Sequence, residues 1–558
     1  MKSEKNFKKS IIKLFKENKI IILFLLSFFI IKVYFITSRY HMPIWDEAVY
    51  IGMGKYIYST GVSGLWEIIR PYGLPLIIGA LWRIGLDPVY SSQIVAILFS
   101  CATIFMTYLV AKELFDKKVA LLSALFLMIT PVFFLYSIYA LTEIPSTFFV
   151  LLAIYLYIKD RHFLSGLTTG VAMLFRFPQG LVLVPILLAI VTDWFFDKKN
   201  GGERINKKNM IKNKKTSKNK FITYFITLKK NHILFSNGTL NRFLKTIKKL
   251  SVYFMGFLII IVPFLTMNYI AYNKYTSKAT DAIFRPLILA APHQENIFES
   301  VGGKTLPGQL YNIFYYIIMM INNNMIFLLS IAGAIMLIKK YKEKSKILFL
   351  TFFIYIAYYS YIINKQERFI ITFLPIICII TAYTIFRIIK NIIPEKIEHI
   401  KNYKSLNNVM LRAALVSLII IALIITSIKP ISKDIEYYYW LHKNDQKPKI
   451  IEEYYSLINT LGIKGPVLIS EPVIGAFINN KLLEYNYVDG KIIPANDWES
   501  YDDIEAITYV ENTIPCIEED SSCKDKRDAL LYYFISRYDT YYKGNFYGYD
   551  TYLFIKKK

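Results

Sequence analysis

Of the 558 residues in this chain, 54% are hydrophobic and 16% aromatic, and the mean hydropathy is positive. A string of soluble domains of that length would be far more polar, so the composition excludes that class. The formal net charge of +26 would point to nucleic acid if it were spread over a soluble surface. Instead the Lys and Arg gather in alternate loops between apolar runs, so membrane lipid is an expected partner and nucleic acid is not.

The first apolar run, Ile20–Thr37, follows a basic arm (Lys2, Lys5, Lys8, Lys9, Lys13, Lys16, Lys19). It lacks a small-residue cleavage site and is too long for a signal peptide, so retention as a first membrane helix is expected. The further runs are Gln93–Ala111, Val119–Ser137, Ser146–Ile158, Phe163–Phe175, Leu181–Phe196, Ser251–Ile270, Ile313–Ile338, Ile347–Ile363, Phe369–Ile388 and Ala413–Ile428. A hydrocarbon core takes roughly 20 residues of helix, with about 17 tolerated, and these runs predict about eleven transmembrane helices. Basic residues fill Lys112–Lys118, Asp197–Leu250, Lys339–Lys346 and Arg387–Arg412. The positive-inside rule puts these loops and the N-terminus in the cytoplasm of a multi-pass protein, here read as one of a prokaryotic cell membrane. The largest positive run, in Asp197–Leu250, reads as a solvated insertion near anionic lipid.

The loops of opposite sign pattern are expected outside. Ser38–Pro88 carries the apolar stretch Leu74–Leu86, which is too short to span and is interrupted by Trp82 and Arg83. A helix lying in the interface is the expectation there. Ile138–Pro145 and Asn364–Arg368 are short outer turns, and Ala271–Leu310 is a long one holding Asp281, Arg285, His293, Glu295 and Glu299. Residues 1–428 thus form the membrane module. From Lys429 charges, Gly and Pro return, and residues 429–558 are expected to form an extracytoplasmic mixed α/β domain. In it, Lys449–Leu461 and Asp525–Arg537 read as helices, and Pro466–Ser470, Ala506–Glu511 and Tyr549–Ile555 as strands. Cys101 and Cys378 fall in spans as packing residues; Cys516 and Cys523 lie in the tail, bridged or as two free thiols.

Three outer features can carry chemistry. Trp45-Asp46-Glu47-Ala48 sets two carboxylates side by side beyond the first span. Arg70-Pro71-Tyr72-Gly73-Leu74-Pro75 opens the interfacial helix. Leu141-Thr142-Glu143-Ile144-Pro145 puts a carboxylate at the mouth of the fourth span. Each has a plainer alternative: Asp46 and Glu143 as helix caps, Arg70 as a headgroup anchor.

In this order the features resemble the GT-C glycosyltransferases, in their protein O-mannosyltransferase and aminoarabinose transferase branch. Arg176-Phe177-Pro178-Gln179-Gly180 and Glu367-Arg368-Phe369 with Leu374-Pro375 add to the likeness, which covers roughly residues 20–390. The resemblance implies transfer of one sugar, with inversion, from a dolichyl- or undecaprenyl-phosphate donor to a protein, lipid or glycan acceptor outside the membrane. Phosphate leaves readily, so what the reaction needs is a base for the acceptor's proton and cations for the phosphate. Asp46 matches the family's catalytic aspartate. Glu47 and Glu143 would orient the acceptor or help hold a divalent metal ion. Arg70, with Tyr72 in the same motif, and Arg176 and Arg368 would bind the donor, guanidinium being a planar fork suited to phosphate. His293 is a candidate metal ligand by the same resemblance, but no paired ligand spacing accompanies it. The aminoarabinose branch has a Glu directly before its basic residue, whereas here Ile69 precedes Arg70 and Glu67 is out of register.

Two other readings stay open. An oligosaccharyltransferase would carry Trp-Trp-Asp-x-Gly in its soluble domain; here Asp497-Trp498-Glu499 is the nearest run. A transporter or flippase would be expected to bury charges at mid-membrane and to show repeats, whereas the acids and arginines here gather at one face. The topology is checked with an impermeant thiol reagent on intact cells, in a chain freed of its own cysteines. Thr60→Cys and Trp440→Cys should be labelled and Lys215→Cys protected; labelling at Lys215→Cys alone would invert the arrangement.

Overall fold

The computed structural model describes residues 18–38, 42–196, 237–290, 306–340, 345–362, 364–392, 449–488, 491–494, 503–511, 521–546 and 549–557, with scattered positions between 414 and 436. The helices in chain order begin with α1 (Lys19–Ser38), α2 (Trp45–Tyr58), α3 (Gly73–Arg83), α4 (Pro88–Leu114) and α5 (Lys117–Ile129). They continue with α6 (Pro131–Tyr136), α7 (Glu143–Ile158), α8 (His162–Phe175), α9 (Leu183–Phe196) and α10 (Asn237–Tyr272). Then come α11 (Ala279–Ala290), α12 (Leu306–Asn323), α13 (Leu329–Lys340), α14 (Lys346–Tyr361) and α15 (Leu374–Ile392). The C-terminal part holds α16 (Lys449–Thr460), β1 (Val467–Ile469), β2 (Leu482–Val488), β3 (Lys491–Pro494), β4 (Ala506–Val510), α17 (Ser521–Arg537), β5 (Tyr538–Phe546) and β6 (Tyr549–Lys556).

Local chemistry sets several of these boundaries. Asp87 accepts the Tyr90 N–H at 2.8 Å, and Pro88, which has no N–H to leave unsatisfied, opens α4. Asp116 does the same for α5 through the Lys118 and Val119 N–H groups. Small residues let α8 and α10 touch backbone to backbone. A methyl group on Gly166 would sit 1.9 Å from the Tyr253 carbonyl, and one on Gly256 2.1 Å from that of Phe163. Close approach of this kind is how helices gain contact where lipid removes the hydrophobic drive.

Among the described residues, Lys19–Ser38, Pro88–Leu114 and Asn241–Tyr275 are long and apolar enough to cross a membrane; the other apolar helices run 10–17 residues. The expected count of about eleven full spans is not reached by length, and two expected spans are broken. Val119–Ser137 divides at Thr130-Pro131, because proline has no N–H to continue the α5 ladder and crowds the preceding turn. Ile313–Ile338 divides at Asn324, which is extended (φ −165°, ψ 117°) and accepts the Ile326 N–H with its own side chain. Hydropathy averaged over a window hides this Asn run, whose amides compete with helical hydrogen bonds. Helix α10 also starts at Asn237, inside the stretch expected as the basic loop, since Lys245, Lys248 and Lys249 are good helix formers and nothing breaks the turn before Ser251. The run Ala413–Ile428 lies almost entirely outside the described residues, as do His293 and Cys516.

The tail folds as expected in class. Its strands form one sheet in the order β3-β2-β1-β4-β6-β5. β1 is parallel to both β2 and β4, with Leu468 opposite Leu483 and Ile507, and the outer pairs are antiparallel. All five expected elements are present, while β2, β3 and β5 were not anticipated. β3 and β5 are the edge strands, and the partly exposed tyrosines of β5 give no apolar alternation to read.

This sheet is seated on α2 and the segment after it. The Gly64 N–H donates to the Asn480 carbonyl at 2.8 Å, and the Leu482 N–H to the Gly64 carbonyl at 2.9 Å. Lys55, buried on α2, donates to the carbonyls of Ala476 (3.2 Å) and Ile478 (3.0 Å). Burial there pushes its ammonium down to about 7. One apolar cluster joins Val49, Met53 and Leu65 to Ile458, Val467, Ile474 and Leu482. Gly64 is the critical residue of the contact: its φ is +80°, and a Cβ would fall 2.1 Å from the Gly52 carbonyl oxygen. Gly85 has a similar φ of +89° but open space around it. Gly85→Ala should therefore cost about 1–2 kcal/mol of backbone strain alone. Gly64→Ala should cost more and expose the 476–482 segment to protease. Equal losses at the two positions, by thermal unfolding and limited proteolysis, would mean that the seat is unimportant.

Candidate active site

The first turn of α2 presents Asp46 and Glu47, and Glu47 fixes where that turn begins. Its Oε2 accepts the Ile44 N–H at 2.9 Å and its Oε1 the Ala140 N–H at 2.6 Å. Glu47 is 1% exposed. It thus ties the helix start to the loop before α7, and both of its oxygens are occupied by backbone. Gly54 and Gly79 let α2 and α3 meet: a Cβ on Gly54 would lie 2.8 Å from the Gly79 nitrogen. The segment between the two helices therefore folds back, and Arg70 arrives beside Asp46.

Charges then alternate along a chain of side chains. Glu67 Oε2 pairs with Arg70 Nε at 2.8 Å, and Arg70 Nη1 with Asp46 Oδ1 at 2.8 Å. The other Asp46 oxygen, Oδ2, pairs with Arg368 Nη2 at 2.5 Å. Arg368 Nε reaches Glu143 Oε1 at 3.2 Å and donates to Gln366 Oε1 at 2.6 Å. Glu143 Oε1 also pairs with Arg176 Nη1 at 2.9 Å, and the Arg176 guanidinium lies 4.5 Å from the centroid of the Phe369 ring. Three arginines from three separate segments are thereby interleaved with three acids.

Within this chain one acid is much more deeply buried than the rest. The Asp46 and Arg70 side chains keep 17% and 20% of their surface, whereas Glu143 keeps 3%. Burial alone would raise the Asp46 carboxyl, but Arg70 and Arg368 together hold it below the usual carboxylate value. A site of this form can hold an anion at its open end, where guanidinium edges meet solvent.

Of the residues singled out from sequence, Asp46, Glu143, Arg70, Arg176 and Arg368 meet here. Glu47 stands behind them in a backbone-holding position. Tyr72 is turned elsewhere: its hydroxyl donates to Asn268 Oδ1 at 3.0 Å and its ring packs against Trp66 and Phe264. His293 lies outside the described residues. A divalent cation does not fit the cluster as it stands. Among the described residues no three His, Cys, Asp or Glu groups gather as a ligand set, and Asp46, Glu67 and Glu143 are each engaged by arginine. Sequence reasoning missed Glu67, Gln366 and Phe369 as members. Only Glu67 left a signal, its spacing of three residues from Arg70, which suits a side-chain pair within one turn.

The Glu47 geometry makes a distinct expectation. Glu47→Gln replaces one acceptor by a donor that faces an N–H, leaving a buried group unsatisfied at about 1–3 kcal/mol. The variant should melt earlier and express poorly, with little change in transfer per folded molecule. A fully stable variant would free Glu47 from this role.

Residues 70–201 match the family model described as dolichyl-phosphate-mannose-protein mannosyltransferase. No match among curated proteins is found. Among solved structures, ArnT from Cupriavidus metallidurans bound to undecaprenyl phosphate is similar at a TM-score of 0.52 and 11% identity, over 84% of this chain and 86% of that one. The apo form of the same protein gives 0.50 and 12%, over 83% and 84%. The Archaeoglobus fulgidus oligosaccharyltransferase gives 0.45 and 13%, over 82% of this chain and 63% of that one, too loose a likeness to argue from. In its matched segment and its fold, the chain resembles the GT-C superfamily of polyprenyl-phosphate-dependent glycosyltransferases.

Proposed function

We propose that the chain transfers a single sugar from a polyprenyl-phosphate donor to an extracytoplasmic acceptor, with Asp46 as the general base. The observation that carries this reading is the convergence of Arg70, Arg176 and Arg368 on Asp46 and Glu143. A cluster of six paired charges adds little stability of its own, since desolvation offsets most of the attraction, and an anion to be met there gives it a purpose. The match of residues 70–201 to a mannosyltransferase family and the undecaprenyl phosphate named for one structural neighbour support the same carrier chemistry.

In this reading the acceptor's oxygen or nitrogen attacks the anomeric carbon from the side opposite the phosphate, so that configuration inverts. The bond from that carbon to the phosphate oxygen breaks, and its electron pair stays on the phosphate. The acceptor's proton passes to an Asp46 oxygen. The phosphate changes from a singly charged diester to a monoester with one more negative charge, and that added charge develops against the guanidiniums. Electrostatic stabilisation counts only where charge appears in the transition state, and this is such a place. The acceptor class covers protein, lipid and glycan, and the site lies on the extracytoplasmic side of a prokaryotic membrane.

The test uses membranes incubated with a panel of radiolabelled polyprenyl-phosphate sugars. With the productive donor, Asp46→Asn should lower transfer per folded molecule by about 10²–10⁴-fold, while a cooperative melting curve, shifted to lower temperature by the two arginines left without their carboxylate, shows that the fold survives. Arg70→Ala should raise the donor KM strongly and Arg70→Lys recover part of the loss, since a point charge keeps the attraction without the fork. A well-folded Asp46→Asn protein with near-normal transfer would remove Asp46 from the chemistry.

A further inference from the structure

The two oxygens of Asp46 are held by two different arginines, and the way those arginines are held matters. Arg70 turns Nη1 to Asp46 and Nε to Glu67. Arg368 turns Nη2 to Asp46 and Nε to Glu143 and Gln366. Each guanidinium is thus gripped at its Nε by the protein's framework, while one terminal nitrogen of each is spent on the same short side chain. If Asp46 swung away, both forks would stay aimed. Asp46 is also the most exposed of the acids that bridge two arginines, at 17% against 3% for Glu143, so it has room to move.

A carboxylate and a phosphodiester present similar faces to a guanidinium: two oxygens that share one negative charge. We infer that in the donor-free protein Asp46 is an internal stand-in for the donor phosphate on Arg70 and Arg368, and that donor binding displaces it and so frees the base. The inference rests on the donor-site reading above and adds a regulation to it. A carboxylate clamped between two guanidiniums is a poor proton acceptor, because both lone-pair faces and the local potential oppose protonation. Once the phosphate takes the two forks, Asp46 loses its cations and gains an anion beside it, and both changes raise its affinity for a proton. The base is therefore strengthened only when a donor is in place. Transfer then adds charge to the phosphate in the same step in which Asp46 takes up a proton, so the mutual repulsion does not build up.

Competition for the same cations has an unusual signature. Removing a catalytic residue commonly leaves ligand binding unchanged or weaker; here it should strengthen it. Binding of undecaprenyl phosphate to the full-length protein in lipid nanodiscs is measured at one fixed pH for the wild type, Asp46→Asn and Asp46→Ala. Two neutral replacements guard against one that fails to fold. Both should bind at least about tenfold more tightly than the wild type, a factor worth about 1.4 kcal/mol, although neither transfers sugar efficiently. Arg70→Ala placed on top of Asp46→Asn should abolish the gain. Unchanged or weaker binding in both neutral variants would overturn the inference, since Asp46 would then orient the arginines instead of competing for them. Absence of binding in the wild type and both variants would be a different failure, removing the donor-site reading itself and this inference with it.

Discussion

Three guanidiniums repel one another when they share a small volume, and everything proposed for this protein depends on how that repulsion is contained. Acids are interleaved with arginines so that each cation has an anion on at least one side, from Glu67 through Arg70, Asp46, Arg368 and Glu143 to Arg176. Pairing of this kind rarely adds stability, since desolvation offsets most of the attraction. Breaking one link is costly, however, because it leaves a charge partly buried without compensation. In the proposed function the cluster is therefore a set of cations kept neutral by its own acids until an anion arrives.

Holding it in register is a long-range problem. Asp46 and Arg368 are 322 residues apart, and the elements that carry them meet only because the bundle closes. α2 is the most constrained of those elements. Glu47 fixes its start against the loop before α7, Gly54 fixes its distance from α3, and Lys55 and Gly64 seat the C-terminal sheet against its far end. Among the described residues, the sheet contributes none of the charged side chains at the site. Its contact with α2 gives it a mechanical part nonetheless, since tilting that helix would carry Asp46 out of line with two arginines at once.

The sequence made the membrane character, the α/β tail and five of the meeting residues legible, for different reasons. Apolar runs report on composition directly, so among the described residues they fall on helices even where their ends and breaks differ. The breaks at Pro131 and Asn324 escaped because hydropathy is an average and a helix break is a single-residue event. The five site residues were found through motif order, and nothing local could have paired them. Tyr72 shows the limit of that route: it lies in the motif of Arg70, yet its hydroxyl is committed to Asn268. Glu47 shows another, since an acid next to the proposed base reads as chemistry in one dimension, whereas in three its two oxygens are taken by the Ile44 and Ala140 N–H groups. Glu67 was set aside for being out of register with a related pattern, although three residues of a turn bring it to Arg70 as directly as an adjacent position would have done.

Depth decides which acid can act. Glu143 and Asp46 carry the same group, and each bridges two arginines, so their pairing alone does not distinguish them. Glu143 sits at the closed end, with one oxygen shared by Arg176 and Arg368 and almost none of its surface open. A proton delivered there would have to cross the arginines and would strand two cations in a poorly solvated place. Asp46 sits at the open end, where a displaced carboxylate meets water or an acceptor, and where the arginines it leaves can be satisfied by a phosphate. Two like groups given unlike surroundings take unlike roles. In the proposed function the inner acid therefore holds the framework and the outer one takes the proton, a division that follows from solvent access before any substrate is considered.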